Sequence, residues 1–133
     1  ARLEQKIHDL HLEDMVLLLG FIPDAAQYLL GLDIFVLPST KEGLTYGVME
    51  AKAAGVPGVA SDIGGIPDLI SNNENGILVP PKNTAALAKA IERLAKNNDE
   101  RKTLGERGAR TIETKFSLRA MLEKTQHLYE TAD

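Results

Sequence analysis

The sequence predicts an α/β fold, an open doubly wound parallel sheet with helices at its C-terminal end. Two observations carry this prediction. Several short runs are apolar at successive positions without alternation, as expected for strands covered on both faces of a parallel sheet. Segments with helical periodicity lie between these runs, and strands that alternate with helices form parallel βαβ units.

Four segments are predicted as strands. They are residues 15–19, 34–37, 56–60 and 77–79. Gly20 ends the first run, Pro38 closes the second and Pro80 follows the fourth, so each of these runs stops at a residue that breaks regular structure. Ligands of such sheets bind outside the carboxyl ends of the strands. The loops that follow these runs are therefore where a site is expected.

The predicted helices cover the rest of the chain. They comprise residues 3–12, a short helix at 24–31, residues 45–54, a short helix at 66–70, two helices between 83 and 116, and a last helix after Ser117. Asp24 followed by Gln27 resembles a capping box, and Asn83 is suited to cap the helix that carries Leu87, Ile91 and Leu94.

Length and composition limit the classes of function. A chain of 133 residues predicts a single domain, and a net charge of -4 argues against nucleic acid as a partner. No apolar run is long enough to span a membrane, and there is no cysteine for a disulfide or a thiolate metal site. The three histidines are too scattered for a ligand set. We therefore expect a cytoplasmic protein without a bound metal or cofactor.

The loop after the second predicted strand carries two carboxylates, Glu42 and Glu50, at a strand-to-helix junction. With a helix beginning near Thr45, the free N–H groups of its first turn and the helix dipole form an anion site suited to a phosphate. Gly43 lets the backbone approach a ligand closely. Glu50 lies about 7–8 Å along the helix, so two carboxylates could hold one extended polar ligand. An isolated pair of glutamates, however, is more often a capping residue and a solvated one.

The surrounding string decides between these interpretations. Residues 35–57 contain Pro38-Ser39, Glu42-Gly43-Leu44 and Val48-Met49-Glu50; Ala60-Ser61-Asp62, Gly64-Gly65-Ile66-Pro67-Asp68 and the segment 75–81 follow. From about Asp14 onwards this pattern resembles the retaining family-4 glycosyltransferases, nucleotide-sugar enzymes of the GT-B fold. The resemblance implies a Rossmann-like, partial GT-B C-terminal domain that binds the donor.

The resemblance also implies roles for matching positions. Glu42 corresponds to the first glutamate of an E-x7-E motif, which contacts the donor sugar and is the candidate catalytic residue, and Glu50 to the second, which holds the ribose hydroxyls. Gly43, Leu44 and Thr45 correspond to the loop whose amides meet the sugar and the diphosphate. Ile22 corresponds to a backbone position that pairs with the base, although Gly20 simply ending a strand before a buried Phe21 explains that segment equally well.

Four further residues are weaker candidates. Gly64 and Gly65 lack the spacing of a phosphate-binding fingerprint, so a turn into the short helix at Pro67 is favoured. Lys41 and Lys52 are interpreted as lysines on solvated faces, and Lys52 also stands where the family usually has an apolar residue.

The expected partners are a nucleotide-sugar donor, an unidentified acceptor and an N-terminal acceptor domain. The family's first strands are not found upstream of the first helix, which predicts a domain truncated at its N-terminus, with a homodimer through unpaired strands as one way to cover the edges. Two alternatives stay open: an inactive, self-associating half-domain, and a sugar-nucleotide epimerase of the same fold.

Overall fold

The computed structural model describes residues 2–43 and 45–131. The elements, in chain order, are α1 (Arg2–Asp9), a 3₁₀ helix (Ala25–Gly31), β1 (Phe35–Leu37), α2 (Tyr46–Ala53), β2 (Gly58–Ser61), α3 (Ile66–Leu69), β3 (Ile77–Val79), α4 (Thr84–Lys96), α5 (Asn98–Lys115) and α6 (Leu118–Thr131). Three of the four predicted strands and all the predicted helices are therefore present, with shifts of a few residues at their ends.

The three strands form one parallel sheet in the order β1-β2-β3. Val36 lies beside Val59, and Ala60 lies beside Leu78. Every residue of the central strand β2 is buried, which explains why its sequence shows no polar alternation. The α/β fold with a parallel sheet and C-terminal helices is confirmed.

Two apolar clusters cover the two faces of this sheet. Val59 of β2 belongs to one cluster, and its neighbour Ala60 belongs to the other, because successive side chains of a strand point to opposite faces. The first cluster is completed by residues of β3, α4 and α5, namely Ile77, Val79, Ala90, Leu94 and Leu104. The second is completed by residues of α2, α3 and the segment after α3, namely Val48, Ile66, Leu69 and Ile70.

The capping predictions have mixed outcomes. The Asn83 side chain accepts a hydrogen bond from the Ala86 amide at 2.9 Å, as predicted for the start of α4. Asp24, in contrast, makes no capping hydrogen bond and has a φ of 51°, so the predicted capping box is wrong. Its left-handed backbone starts a short 3₁₀ helix in place of an α-helical turn.

The predicted strand at residues 15–19 is also wrong. The segment pairs with none of the described strands, and Met15 and Leu17 are 82% and 78% exposed. An apolar run becomes a strand only where a neighbouring backbone accepts its hydrogen bonds. The sheet begins at β1, so this segment has no such neighbour among the described residues.

Lys52 of α2 corrects the prediction of a solvated lysine. It is 1% exposed, and its Nζ donates a hydrogen bond of 2.8 Å to the Asn75 carbonyl. Burial removes water from the ammonium and lowers the pKa of Lys52 to about 8. The Asn75 side chain continues the network, since its Oδ1 accepts from the Ser71 amide at 2.8 Å and its Nδ2 donates to Thr111 Oγ1 at 3.0 Å.

Helix α5 packs closely on this part of the core. At Gly105 an added Cβ would lie 2.1 Å from the Gly55 carbonyl oxygen, whereas at Gly108 it would lie 3.4 Å from its nearest neighbour, the Asn75 carbonyl oxygen. The turn after α2 therefore meets the helix backbone directly. Across the described parts of the chain, no helix is both long and apolar enough to cross a membrane.

Candidate functional site

The carboxyl ends of the three strands meet at one edge of the sheet. Three loops follow them: residues 38–45 after β1, 62–65 after β2 and 80–83 after β3. A cleft of about 80 Å³ lies between these ends, lined by Pro38, Ser61, Val79, Pro80, Lys82, Asn83, Thr84 and Leu87. The edge at which the sequence predicts a ligand is thus formed by three consecutive strand-to-helix connections.

Glu42 is held by its own loop. Its side chain is half-buried, and Ser39 Oγ donates a hydrogen bond of 2.6 Å to Glu42 Oε1. A carboxylate offers about four acceptor sites, so this bond leaves others for hydroxyl groups of a ligand. Ser39 thus fixes the carboxylate, a role that its residue type does not reveal in the sequence. Its position three residues before Glu42 in the same loop is the sequence feature that could have indicated this hydrogen bond.

The loop after β2 packs against the loop that carries Glu42. The Gly65 amide donates to the Gly43 carbonyl at 3.3 Å. Gly64 has a φ of +54°, and a Cβ placed on it would lie 1.9 Å from the Glu42 carbonyl oxygen. Only glycine fits this position, because both the backbone conformation and the contact exclude a side chain. The glycine pair is a turn, as favoured from the sequence, and it also fixes where Glu42 lies.

Helix α2 begins where the sequence predicts. Thr45 is its N-cap residue, with φ and ψ of -99° and 121°, and its side chain makes no capping hydrogen bond. The Thr45 hydroxyl therefore does not satisfy the amides of the first turn, the groups that bind anions at helix N-termini. Glu50 lies in the second turn of the same helix with an exposed side chain. Helix α2 thus contributes both the backbone amides of its first turn and the second glutamate, Glu50.

The structure does not unite all the predicted site residues. Glu42, Gly43, Thr45 and Glu50 lie on one loop and the helix that follows it. Ile22 lies in an irregular segment before the 3₁₀ helix, which packs against α2, and no backbone hydrogen bond joins Ile22 to the described residues of the Glu42 loop. Leu44 lies outside the described residues.

The charges at this edge include Lys82, a cation to which no sequence motif pointed. Lys82 lines the small cleft, in the loop after β3, with a φ of 59°. Lys52 faces the interior and is not part of this edge. Within residues 2–43 and 45–131, no group of three or more histidine, aspartate or glutamate side chains is arranged to hold a metal ion.

Comparison with protein families gives a match over most of the chain. The model described as "Glycosyl transferases group 1" matches residues 1–111. Among curated proteins, the capsular polysaccharide biosynthesis glycosyltransferase CapM of Staphylococcus aureus is 30% identical over 116 residues, which cover 87% of this chain and 30% of that protein. The chain thus spans about a third of the length of the curated relatives it matches.

Solved structures of similar fold are also glycosyltransferases. A sucrose-phosphate synthase from Thermosynechococcus elongatus superposes with a TM-score of 0.87 at 32% identity, over 98% of this chain and 33% of that one. Anabaena Alr3699/HepE in complex with UDP gives a TM-score of 0.91 at 26% identity, over 98% of this chain and 36% of that one. These neighbours are GT-B glycosyltransferases, and this chain matches their C-terminal domain.

Proposed function

Since this chain belongs to the group 1 glycosyltransferases, we propose that it is the donor-binding part of a retaining enzyme that transfers a sugar from a nucleotide diphosphate sugar to an acceptor. The observation that carries the proposal is the arrangement of Glu42 and the start of α2 at the carboxyl edge of the parallel sheet, with Glu50 one turn further along the same helix. This edge is where ligands of doubly wound sheets bind. The similar HepE was solved with UDP and with UDP-glucose, which supports a nucleotide sugar as the donor.

Each proposed contact uses a different property of the loop and the helix. The half-buried Glu42 carboxylate, held by Ser39, accepts hydrogen bonds from sugar hydroxyls. The backbone amides of residues 43–45 and of the first turn of α2 bind the diphosphate, where the helix dipole favours negative charge. Glu50 accepts bonds from the two ribose hydroxyls, since one carboxylate can accept from a vicinal diol. Ile22 pairs with the base through its backbone.

The chemical contribution of this part is positioning and electrostatics. The leaving diphosphate gains charge as the bond to the sugar breaks, and fixed amide dipoles stabilise that charge without reorganising. Holding the sugar and the diphosphate at two points also lowers the entropic cost of reaching the reactive geometry. The acceptor, and the residues that bind it, belong to the remainder of such an enzyme.

Binding of nucleotides to this chain tests the proposal. Calorimetry with UDP, GDP, ADP and their sugars should show saturable binding of at least one pair. Glu50→Ala should weaken it by about tenfold or more, because the ribose loses two charge-assisted hydrogen bonds. The matched control is Glu106→Ala, which removes an exposed glutamate from α5 and should leave the affinity unchanged. No binding at millimolar nucleotide, with the fold intact by circular dichroism, contradicts the proposal.

One observation favours the alternative of a self-associating half-domain. The segment at residues 15–21 exposes a run of apolar side chains, including Phe21 at 93%, and such a surface favours association. Sedimentation velocity separates the two functions, because a donor-binding part keeps its nucleotide affinity when it is diluted to a monomer. Association without saturable nucleotide binding supports the alternative.

A further inference from the structure

A second cleft lies at the opposite edge of the sheet from the candidate donor site. It has a volume of about 440 Å³, within the range of small-molecule sites, and it lies between the turn at residues 71–75 and the C-terminal half of α5. That turn precedes β3, so it belongs to the amino edge of a parallel sheet whose carboxyl edge carries Glu42. The two sites therefore share no loop.

Three cations line this cleft, all contributed by α5: Arg107, Arg110 and Lys115. Arg107 and Arg110 stand three residues apart and so lie on the same helix face. Neither guanidinium makes a hydrogen bond or an ion pair within the described residues. Two guanidiniums with open donor groups, side by side in a concave surface, form a fork that suits a phosphate.

The other arginines of the C-terminal helices are engaged. Arg93 bonds Glu100 and Asn73, Arg101 bonds backbone carbonyls at the end of α4, and Arg119 bonds Glu123. The protein as a whole carries a net charge of -4. The cleft is thus lined by a cluster of positive charges on a protein whose net charge is negative.

The remaining lining offers acceptors. The Thr111 and Thr114 hydroxyls already donate to the Arg107 and Arg110 carbonyls, at 2.9 and 2.8 Å, so a ligand meets them as acceptors. The Glu74 carboxylate lines the cleft from the opposite turn and is an acceptor as well. Hydroxyl groups of a ligand are the donors that such a wall would bind.

The floor of the cleft is fixed by the buried network beneath it. Asn75 is 7% exposed; its side chain bonds the Ser71 amide and Thr111, and its carbonyl accepts from the Lys52 ammonium. This network holds the turn against α5, so the cleft does not need to form on binding. The Lys52 ammonium behind the floor adds positive potential.

From these features we propose that the cleft between the 71–75 turn and α5 binds a sugar phosphate. Arg107 and Arg110 hold the phosphate, Lys115 adds charge, and Glu74 with the two threonine hydroxyls accepts bonds from the sugar hydroxyls. This site is separate from the proposed donor site and its ligand does not enter the transfer reaction there.

Calorimetry of this chain with glucose 6-phosphate, inorganic phosphate and glucose tests the proposal. The sugar phosphate should bind with saturation and more tightly than either part alone. The double variant Arg107→Gln/Arg110→Gln should weaken it by about tenfold or more. The control, Arg119→Gln, removes one positive charge from an exposed, paired arginine and should change little. Amide NMR shifts should locate the ligand at residues 71–76 and 107–115.

Four results would overturn the inference. Absence of saturable binding at millimolar sugar phosphate contradicts the proposed site. Inorganic phosphate that binds as tightly as the sugar phosphate shows that the sugar hydroxyls contribute nothing to binding. An equal loss per charge in Arg119→Gln shows a general charge effect. Displacement by UDP, with shifts at residues 42–50, places the sugar phosphate at the donor edge. In all variants the midpoint of thermal unfolding is measured, so that loss of fold is recognised directly.

Discussion

Lys52 is a charged residue that the fold uses inside its core. Its alkyl chain is buried between α2 and α5, and its ammonium reaches a single backbone carbonyl, that of Asn75. Residue type alone predicts the opposite, since lysine is rarely fully buried. The charge is tolerated because a hydrogen bond replaces part of the lost hydration.

The buried ammonium should give the stability of the protein a measurable pH dependence. The pKa of Lys52 is about 8 in the folded chain and 10.5 in the unfolded chain, so between these values the unfolded chain binds more protons. The destabilising effect of burying the charge is therefore complete below pH 8 and disappears as the pH rises to 10.5. The free energy of unfolding of the wild type minus that of Lys52→Met should rise in this window by up to about 1.4 kcal/mol per pH unit.

Urea unfolding of both proteins at several pH values between 7 and 10.5 provides the measurement. Lys89→Met, which changes an exposed lysine of α4, is the control, and its difference from the wild type should stay flat. A flat difference for Lys52→Met as well would show that the ammonium remains hydrated in solution.

The candidate site residues that follow a local pattern could be proposed from the sequence, whereas those defined by contacts could not. The residue types from 45 to 54 correctly predicted a helix that begins near Thr45, after the loop that carries Glu42. The support that Gly64 gives to the Glu42 loop joins residues 22 positions apart, and no local pattern reports such a contact. The roles of the site residues toward a donor stay predictions.

At the scale of the elements, two apolar segments show which strands can be predicted from the sequence and which cannot. Residues 77–79 were predicted with the observed bounds, because prolines and a turn flank an apolar run that does find a partner strand. Residues 15–19 have an equally apolar sequence but find no partner strand within the described ranges 2–43 and 45–131. Helix ends are local, and those of α2 and α3 were predicted to within one residue, whereas strand pairing depends on which other strands are present.

Helix α5 offers a test of how packing overrides helix propensity. Replacing glycine by alanine inside a helix stabilises it by roughly 0.5–1 kcal/mol when there is room. At Gly108 the new Cβ would make ordinary contacts, the nearest at 3.4 Å, so Gly108→Ala should be neutral or stabilising. At Gly105 it would lie 2.1 Å from the Gly55 carbonyl oxygen, so Gly105→Ala should destabilise the protein by about 1–3 kcal/mol.

Thermal and urea unfolding of the two variants, measured side by side, give the comparison. Each serves as the control for the other, since the change in propensity is the same and the helix is the same. If both variants are stabilised, α5 does not pack on the turn after α2 in solution.

In the molecule as a whole, apolar residues are distributed unevenly. The sheet and helices α2 to α5 enclose a core, while the segment at residues 15–21 and one side of α6 expose large apolar side chains. The similar proteins are about three times as long as this chain. The free energy of unfolding should therefore depend on the side chains of the enclosed core and change little when those of the exposed segment 15–21 are truncated.

Truncation of one leucine in each part measures this division. Leu94 is 0% exposed and belongs to a core cluster, so Leu94→Ala should lower the free energy of unfolding by about 2–5 kcal/mol. Leu17 is 78% exposed, and Leu17→Ala should change it by less than about 0.5 kcal/mol. Comparable losses in both variants, measured by urea unfolding, would mean that residues 15–19 pack into the core of the protein in solution.

The contact between Gly64 and the Glu42 carbonyl also bears on the transfer of this motif to other scaffolds. A nine-residue graft from Glu42 to Glu50 would carry both carboxylates but leave behind the surface on which the loop rests. The smallest transplantable unit is the segment from Ser39 to Gly65, which contains the two loops and, between them, α2 and β2. Recombination boundaries between relatives should for the same reason fall outside this segment.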